Sequence, residues 1–367
     1  MADAKGLTRS VAEERLRRLR VLFSRLGADA LLVTHLPNIR YLCGFTGSSA
    51  WLLVGLHQST LFTDSRYTFQ SRQEVVGSKV RIVKKGLLKG LQGALQPSRR
   101  LRLAYSPLEL SVADWSALQA ALKGRLRWVD ARNLVESLRA IKNESELADM
   151  KAAALLISRV FIKTLPLIRP SVTELQLSSE IEWRMKQEGA EGASFETIVA
   201  SGVRSAWAHA RPTSKQLRKN ELVVLDQGAI LRGYCSDLTR TVFLGRPSPQ
   251  VRRLYGAVLE AQAAANAAIR PGVTAHSVDA AARKALGSRG LGDYFTHSTG
   301  HGLGIEVHEM PRLGRRDRTI LQEGMVLTVE PGVYLEGFGG IRIEDDVVVT
   351  SKGADDLTDA PRDFLQL

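Results

Sequence analysis

The chain has 367 residues, 44% of them hydrophobic and 6% aromatic, too apolar for a disordered protein and long enough for two domains of ordinary size. Lys and Arg total 51 against 38 Asp and Glu, a formal charge of +13 that makes nucleic acid the first partner to consider. No run approaches the roughly 18 uninterrupted apolar residues of a bilayer span, two cysteines are too few for a disulfide framework, and the start at residues 1–5 has no apolar signal region, so a cytoplasmic protein with no membrane partner is expected.

In chain order, Ser10 and Glu13 predict a capping box for a first helix with Leu16, Leu19, Phe23 and Leu26 at helical spacing, ended by Gly27. Residues 30–33, 51–54 and 60–63 read as strands between Pro-Asn and Gly-rich turns, and helix and strand signals alternate to about residue 130. Asn143 or Ser145 is expected to cap a helix carrying Leu147, Met150, Ala154 and Ile157 on one face, with further helices over 175–188 and 253–269. Strand-like runs cover 222–226, 237–244, 325–330 and 341–349. The expected boundary lies within 132–142, giving domains 1–137 and 138–367. The first holds 22 basic and 10 acidic side chains and the second 29 and 28, so the positive excess belongs to the first domain.

Acids normally occupy loops and exposed helix faces, so Asp226, Asp237, Glu330 and Glu344 within apolar β-like runs require an explanation. In 341–344, Ile341 and Ile343 face one side while Arg342 and Glu344 face the other. A carboxylate pointing into a pocket from a strand must be neutralised, paired or metal-bound. Three of the seven histidines fall in a glycine-rich stretch, His297-Ser-Thr-Gly-His301-Gly-Leu-Gly-Ile-Glu-Val-His308. One histidine and four carboxylates suit two divalent cations, with Mn²⁺, Co²⁺, Zn²⁺ and Fe²⁺ all admissible. Such a pair supplies a hydrolytic nucleophile from water near neutral pH.

The ordered motifs Asp-x-Gly (226–228), Ser-Asp-x-Thr-Arg-Thr (236–241), His-x-x-Gly-His-Gly-x-Gly (297–304), His-Glu-x-Pro (308–311), Thr-x-Glu-Pro-Gly-x-Tyr (328–334) and Gly-Ile-Arg-Ile-Glu-Asp (340–345) resemble those of the pita-bread metallopeptidases, family M24. Gly-Phe-Thr-Gly-Ser (44–48) and Thr-Asp-Ser-Arg-Tyr (63–67) look like a creatinase-type N-terminal domain, which places the resemblance with the Xaa-Pro peptidases, prolidase and aminopeptidase P. It implies an α/β (α+β) architecture: a creatinase-like domain with a mixed sheet, then a pita-bread domain with a curved antiparallel sheet.

Carried over by position, the resemblance makes Asp226 a chelating metal ligand, Asp237 and Glu344 bridges, and His301 with Glu330 terminal ligands. His209 and His308 match histidines that flank the scissile peptide, Glu330 doubles as proton shuttle, and His297 and Arg342 match substrate-side or supporting positions. Two Mn²⁺ ions, a proline-containing peptide substrate and a homodimer, in which the N-terminal domain restricts the partner's active-site mouth, are the implied cofactors and partners. The family often has Pro-His-Gly where this chain has Ala208-His209-Ala210, which leaves the loop shape open.

Xaa-Pro dipeptidase is the favoured activity, with aminopeptidase P activity on longer peptides the alternative. A creatinase-like C–N hydrolase or a binding protein on the same fold requires lost ligands, and all five are present. Cys235 reads as a small buried hydrophobe, the Arg-rich first helix as a solvated face, and His35, His57 and His276 as structural. With no aromatics among the basic residues, nucleic acid gives way to steering of anionic peptide carboxylates as the use of the first domain's charge.

Overall fold

The computed structural model describes residues 7–95, 101–124 and 126–367; the segment at 1–5 and its signal-peptide reading lie outside them. The chain divides into two compact units, Met1–Arg139 and Ala140–Leu367. Among the described residues no helix is long and apolar enough to cross a membrane.

The first unit is a mixed six-stranded sheet with helices. Its strands are β1 (Ala30–Val33), β2 (Ala50–Gly55), β3 (Ser59–Thr63), β4 (Lys79–Ile82), β5 (Leu101–Tyr105) and β6 (Leu126–Asp130), in the order β4-β3-β2-β1-β5-β6. β1 pairs antiparallel with β2 and parallel with β5, and β5 pairs parallel with β6. The helices are α1 (Arg9–Arg25), α2 (Leu36–Cys43), α3 (Thr68–Glu74), α4 (Leu87–Ala94), α5 (Val112–Ala121) and α6 (Leu134–Arg139). The cap of α1 is Thr8 rather than Ser10: Thr8 is extended and its hydroxyl accepts from Val11 N, which places Ser10 inside the first turn.

The second unit opens with α7 (Glu144–Thr164), capped by Asn143, one of the two caps that the sequence offers, which closes a reciprocal capping box with Glu146. It continues through α8 (Glu174–Gln187), β7 (Gly192–Ala193), β8 (Ile198–Ser201), β9 (Glu221–Gln227), β10 (Ala229–Leu231), β11 (Tyr234–Cys235) and β12 (Leu238–Leu244). After α9 (Pro249–Ala268) and α10 (Ala275–Ser288) come β13 (Gly300–Gly302), β14 (Glu309–Leu313), β15 (Val326–Val329), β16 (Gly332–Leu335), β17 (Gly339–Arg342), β18 (Asp345–Thr350) and β19 (Gly353–Asp356). Every pairing between these strands is antiparallel.

Two cores fix which faces are left for chemistry. Ile157, Phe161, Ile181 and Met185 of α7 and α8 pack with Val223, Leu225, Leu238 and Val242 of β9 and β12. Val258, Ala261 and Ala265 of α9 and Leu286 of α10 pack with Leu327, Val329, Ile341, Ile343 and Val347. Burying each large aliphatic side chain contributes roughly 1.5–3 kcal/mol, and a one-residue slip would exchange Ile341 and Ile343 for Arg342 and Glu344 in the core. The register is therefore held by the core, and the acids emerge on the opposite face.

The run 341–349 is not one strand. β17 ends at Arg342 and β18 starts at Asp345, so Ile343 and Glu344 lie in a break. Arg240, fully buried on β12, holds it: its guanidinium donates to the Glu344 carbonyl at 2.5 Å, to Asp345 Oδ1 at 2.6 Å and to the Ala360 carbonyl at 2.7 Å.

Candidate metal centre and active site

Asp226 lies within β9, opposite Thr239 of β12 in the antiparallel register, so their side chains share a face with Asp237 at the entry to β12. Glu330 directly follows β15, and Glu344 fills the break after β17. Of the four acids that the sequence places in strand-like runs, only Asp226 is inside a regular strand. The others sit at strand ends, where the side chain leaves the ladder and can be aimed.

His301 is the middle residue of β13, and its flanking glycines are sterically required. A Cβ on Gly300 would stand 1.9 Å from the Thr328 carbonyl oxygen, and one on Gly302 would stand 2.2 Å from that of Met310. The register of β13 against β14 shifts between His301 and Gly302, an irregularity of the kind that re-aims side chains beside active sites.

These residues converge on a cavity of about 310 Å³ lined by Asp226, Asp237, His301, Glu330 and Glu344, with His209, His308 and Arg342 in its wall. His301 Nε2 is 3.8 Å from Asp237 Oδ2 and 3.7 Å from Glu330 Oε1. Donor atoms of Asp237, His301 and Glu344 all lie within 4.8 Å of one another. The His301 Nδ1–H donates to the Gly302 carbonyl at 3.0 Å, which leaves Nε2 as the lone-pair nitrogen facing the carboxylates. Phe195, Ile198 and Val307 give the same cavity an apolar side.

Electrostatically the cluster is poorly balanced by the protein itself. Burial, and then the charges of Glu344, Asp226, Asp346 and Glu330, push Asp237 well above the ordinary carboxylate range. Burial and then Glu330 and Asp226 do the same to Glu344. Glu330 is pushed up to about 7, chiefly by burial and further by Asp226, against the pull of Arg342. Burial lowers His301 to about 4, and the charge of His308 adds to this. Asp226 Oδ1 and Asp237 Oδ1 are sealed from solvent and have no hydrogen-bond partner among the described residues. Four crowded carboxylates with two orphaned oxygens and one imidazole nitrogen fit divalent cations, which satisfy the oxygens and remove the repulsion together.

Arg342 links the cluster to its surroundings. It donates to Asp226 Oδ2 at 2.6 Å, to Thr239 Oγ1 at 3.1 Å, to the Tyr334 hydroxyl at 2.7 Å and to the Ala208 carbonyl at 3.0 Å. Thr239 Oγ1 in turn donates to Glu344 Oε2 at 2.6 Å. The Ala208 contact is significant because His209 is the next residue and the loop lacks a stiffening proline. That loop is further braced by Arg204, which stacks on Trp207 at 4.8 Å and bonds Glu174 at 3.1 Å.

A second cavity, of about 380 Å³, shares His209, His301, His308, Glu330 and Arg342 with the first and adds His297 and Arg312. The His297 Nδ1–H donates to the Ser298 carbonyl and its Nε2 accepts from the Tyr334 hydroxyl, both at 2.8 Å. Burial, with Arg342 nearby, lowers its pKa to about 3, so the ring is neutral. His308 packs edge-on against His301 at 4.4 Å between centroids. Thus all nine residues singled out from the sequence line one or both cavities. Sequence reasoning gave no role to Thr239, Arg240 and Tyr334, although they stand within its motifs, and did not name Arg312; an arginine inside the apolar run Leu238-Thr-Arg-Thr-Val-Phe-Leu is the signal that could have exposed Arg240.

Comparison with known proteins agrees with this geometry. Metallopeptidase family M24 matches residues 148–351, and the Creatinase/Prolidase N-terminal domain matches residues 15–141. The chain is 34% identical over 361 residues to the Xaa-Pro dipeptidase of Pyrococcus furiosus, covering 96% of this chain and 100% of that one. Among solved structures it is similar to an Xaa-Pro dipeptidase from Bacillus anthracis, at 38% identity and a TM-score of 0.92, covering 97% and 100% of the two chains. It is also similar to an X-Pro aminopeptidase from Thermotoga maritima, at 38% identity and a TM-score of 0.85, covering 94% and 99%. The family expected from the six motifs is the family found: this chain is a member of metallopeptidase family M24, built as a creatinase/prolidase-type N-terminal domain followed by a pita-bread catalytic domain.

Proposed function

We propose that this protein is an Xaa-Pro dipeptidase that uses two divalent cations, Mn²⁺ by preference, held by Asp226, Asp237, His301, Glu330 and Glu344. The carrying observation is the convergence of those five side chains, with two orphaned carboxylate oxygens, in a cavity that also holds His209 and His308. When bound, the cations supply activation of water as the nucleophile and polarisation of the scissile carbonyl.

The remaining work belongs to side chains. Glu330, beside the water-activating cations, takes the proton from the attacking water and passes it to the leaving amine. His308 donates a hydrogen bond to the developing oxyanion, and His209, on the braced loop, positions the peptide from the other side. His297 and Arg342 shape the substrate side while keeping Tyr334 and Asp226 in place. Arg312, exposed at the edge of the second cavity and tied to Ser298 Oγ at 3.1 Å, is positioned to pair with the carboxylate of a dipeptide. Phe195, Ile198 and Val307 offer the apolar surface that a proline ring or an apolar Xaa side chain requires.

The named relatives with this architecture include both dipeptidases and an aminopeptidase. Arg312 favours the dipeptidase, because a cationic carboxylate partner at the cavity edge rewards a substrate that ends at proline. A rate comparison of Xaa-Pro with Xaa-Pro-Yaa substrates in Mn²⁺, Co²⁺ and Zn²⁺ tests this. Faster turnover of Xaa-Pro in Mn²⁺ is expected, and activity confined to Xaa-Pro-Yaa or to non-proline peptides overturns it. A cytoplasmic homodimer completes the proposal, read by fractionation and by sedimentation.

A further inference from the structure

The first unit contains a second group of metal-type donors, at a place where α/β sheets bind ligands. From β1 the chain passes through α2 to antiparallel β2, the neighbour on one flank; from parallel β5, the neighbour on the other flank, it passes through α5 outward to β6, so the two connections run in opposite directions across the strand order. β1 and β5 therefore flank a topological switch point, and the crevice outside their carboxyl ends is where an open sheet of this type holds a ligand. His35 stands just beyond the end of β1, Glu109 in the segment leaving β5, and Glu136 on α6, which follows β6.

Their side chains meet. Donor atoms of His35, Glu109 and Glu136 lie within 4.8 Å of one another, and His35 Nδ1 is 3.2 Å from Glu109 Oε2. They line a cavity of about 10 Å³, the space of one water or one ion. Ser106 lines it as well, and its hydroxyl is sealed from solvent with no hydrogen-bond partner among the described residues. Outer contacts orient the set: Asn38 Nδ2 donates to Glu136 Oε1 at 2.5 Å, and Arg139 donates to Asn38 Oδ1 at 2.7 Å.

We infer that the N-terminal unit binds one divalent transition-metal cation of the zinc class on His35, Glu109 and Glu136. One imidazole and two carboxylates form a three-ligand set that leaves a coordination position for water, and the Ser106 hydroxyl is a polar neighbour for that water. The competing arrangement is a plain His35–Glu109 ion pair with a second glutamate beside it, which holds no metal. The site is independent of the catalytic reading, since none of its residues lines the catalytic cavities.

The test uses the full chain, stripped with a chelator, saturated with Zn²⁺, desalted and analysed for zinc per chain. The double variant Glu109→Gln/Glu136→Gln is expected to hold one equivalent less than the wild type, with kcat/KM on Xaa-Pro substrates unchanged. The same loss of one equivalent is expected in an Asp237→Ala background, which separates this site from the catalytic one. Equal zinc in wild type and double variant overturns the inference. Anomalous scattering at the zinc edge from wild-type crystals keeps the test decisive if the double variant misfolds: a peak beside the His35 ring supports the site, and its absence overturns it.

Discussion

Arg342 Nη2 lies 2.6 Å from Asp226 Oδ2, while Oδ1 of the same carboxylate is buried without a partner. One oxygen is fixed by a charged hydrogen bond and the other is left to a ligand, so the guanidinium sets the angle at which Asp226 faces the cavity. Burial alone would lower the pKa of Arg342, but Tyr334, Asp226, Glu330 and Glu344 outweigh it, and the group stays charged. Lysine has one ammonium for four acceptors. Arg342→Lys should therefore lower Mn²⁺ affinity by about 10–100-fold, read by isothermal titration calorimetry, with circular dichroism unchanged.

Thr239 carries no metal-type donor, yet its hydroxyl donates to Glu344 Oε2 and accepts from Arg342 Nε. Thr239→Val keeps the shape and removes both bonds, and about 10–100-fold in metal affinity or activity is expected to go with them. Thr239→Ser should recover most of it. Equal activity of the valine and serine variants would show that the hydroxyl does not orient Glu344.

The raised carboxylates give the metal-stripped protein a pH dependence of definite sign. Glu330 binds its proton more tightly folded, at about 7, than unfolded, near the ordinary 4.5. Its contribution to stability is complete below about 4.5 and is lost as pH rises through about 7, and Asp237 and Glu344 act in the same direction. Thermal unfolding of chelator-treated protein should thus move to lower temperature across that window. The Mn²⁺-loaded protein should lose less, so the gap between the two melting temperatures widens with pH. A constant gap would count against the carboxylates as the ligands.

Arg240 predicts a stability effect coupled to activity. It is fully buried, paired with Asp345 at 2.6 Å and bonded to the Glu344, Ala360 and Pro361 carbonyls. Arg240→Met leaves those acceptors unmet and should destabilise by about 3–5 kcal/mol, measured by denaturant unfolding. Because the same contacts hold the break that carries Glu344, kcat should fall at temperatures where the variant remains folded.

The α10 helix offers a test of positioning. Asp279 is fully buried and accepts from Thr299 N and Oγ1 at 3.2 and 2.9 Å, while Arg283 pairs with Asp279 at 2.7 Å and donates to the Phe295 and His297 carbonyls. Together they clamp the segment leading to His301. Asp279→Asn should lower kcat with KM nearly unchanged and reduce Mn²⁺ occupancy, whereas a purely structural role would lower only the melting temperature.

The family was legible in the sequence because six ordered motifs rarely coincide, and the proposed donors could be named there because ligand chemistry is written in residue type. Local rules also worked where the physics is local, as in the cap at Asn143, one of two candidates, and the period-two face of 341–344. The same rules read one strand over 341–349 and a cap at Ser10. The first is wrong because Arg240, more than a hundred residues earlier in the chain, holds the break, and the second because Thr8 already serves the free N–H group at Val11. Thr239 and Tyr334 stand inside recognised motifs and Arg312 just after one, yet none is a metal donor, and their importance comes from what they touch. Residue type fixes which atoms can bind a metal. Which oxygen is braced, which is left open and which cation meets the substrate depend on contacts between distant strands, and those exist only once the two cores have locked the register.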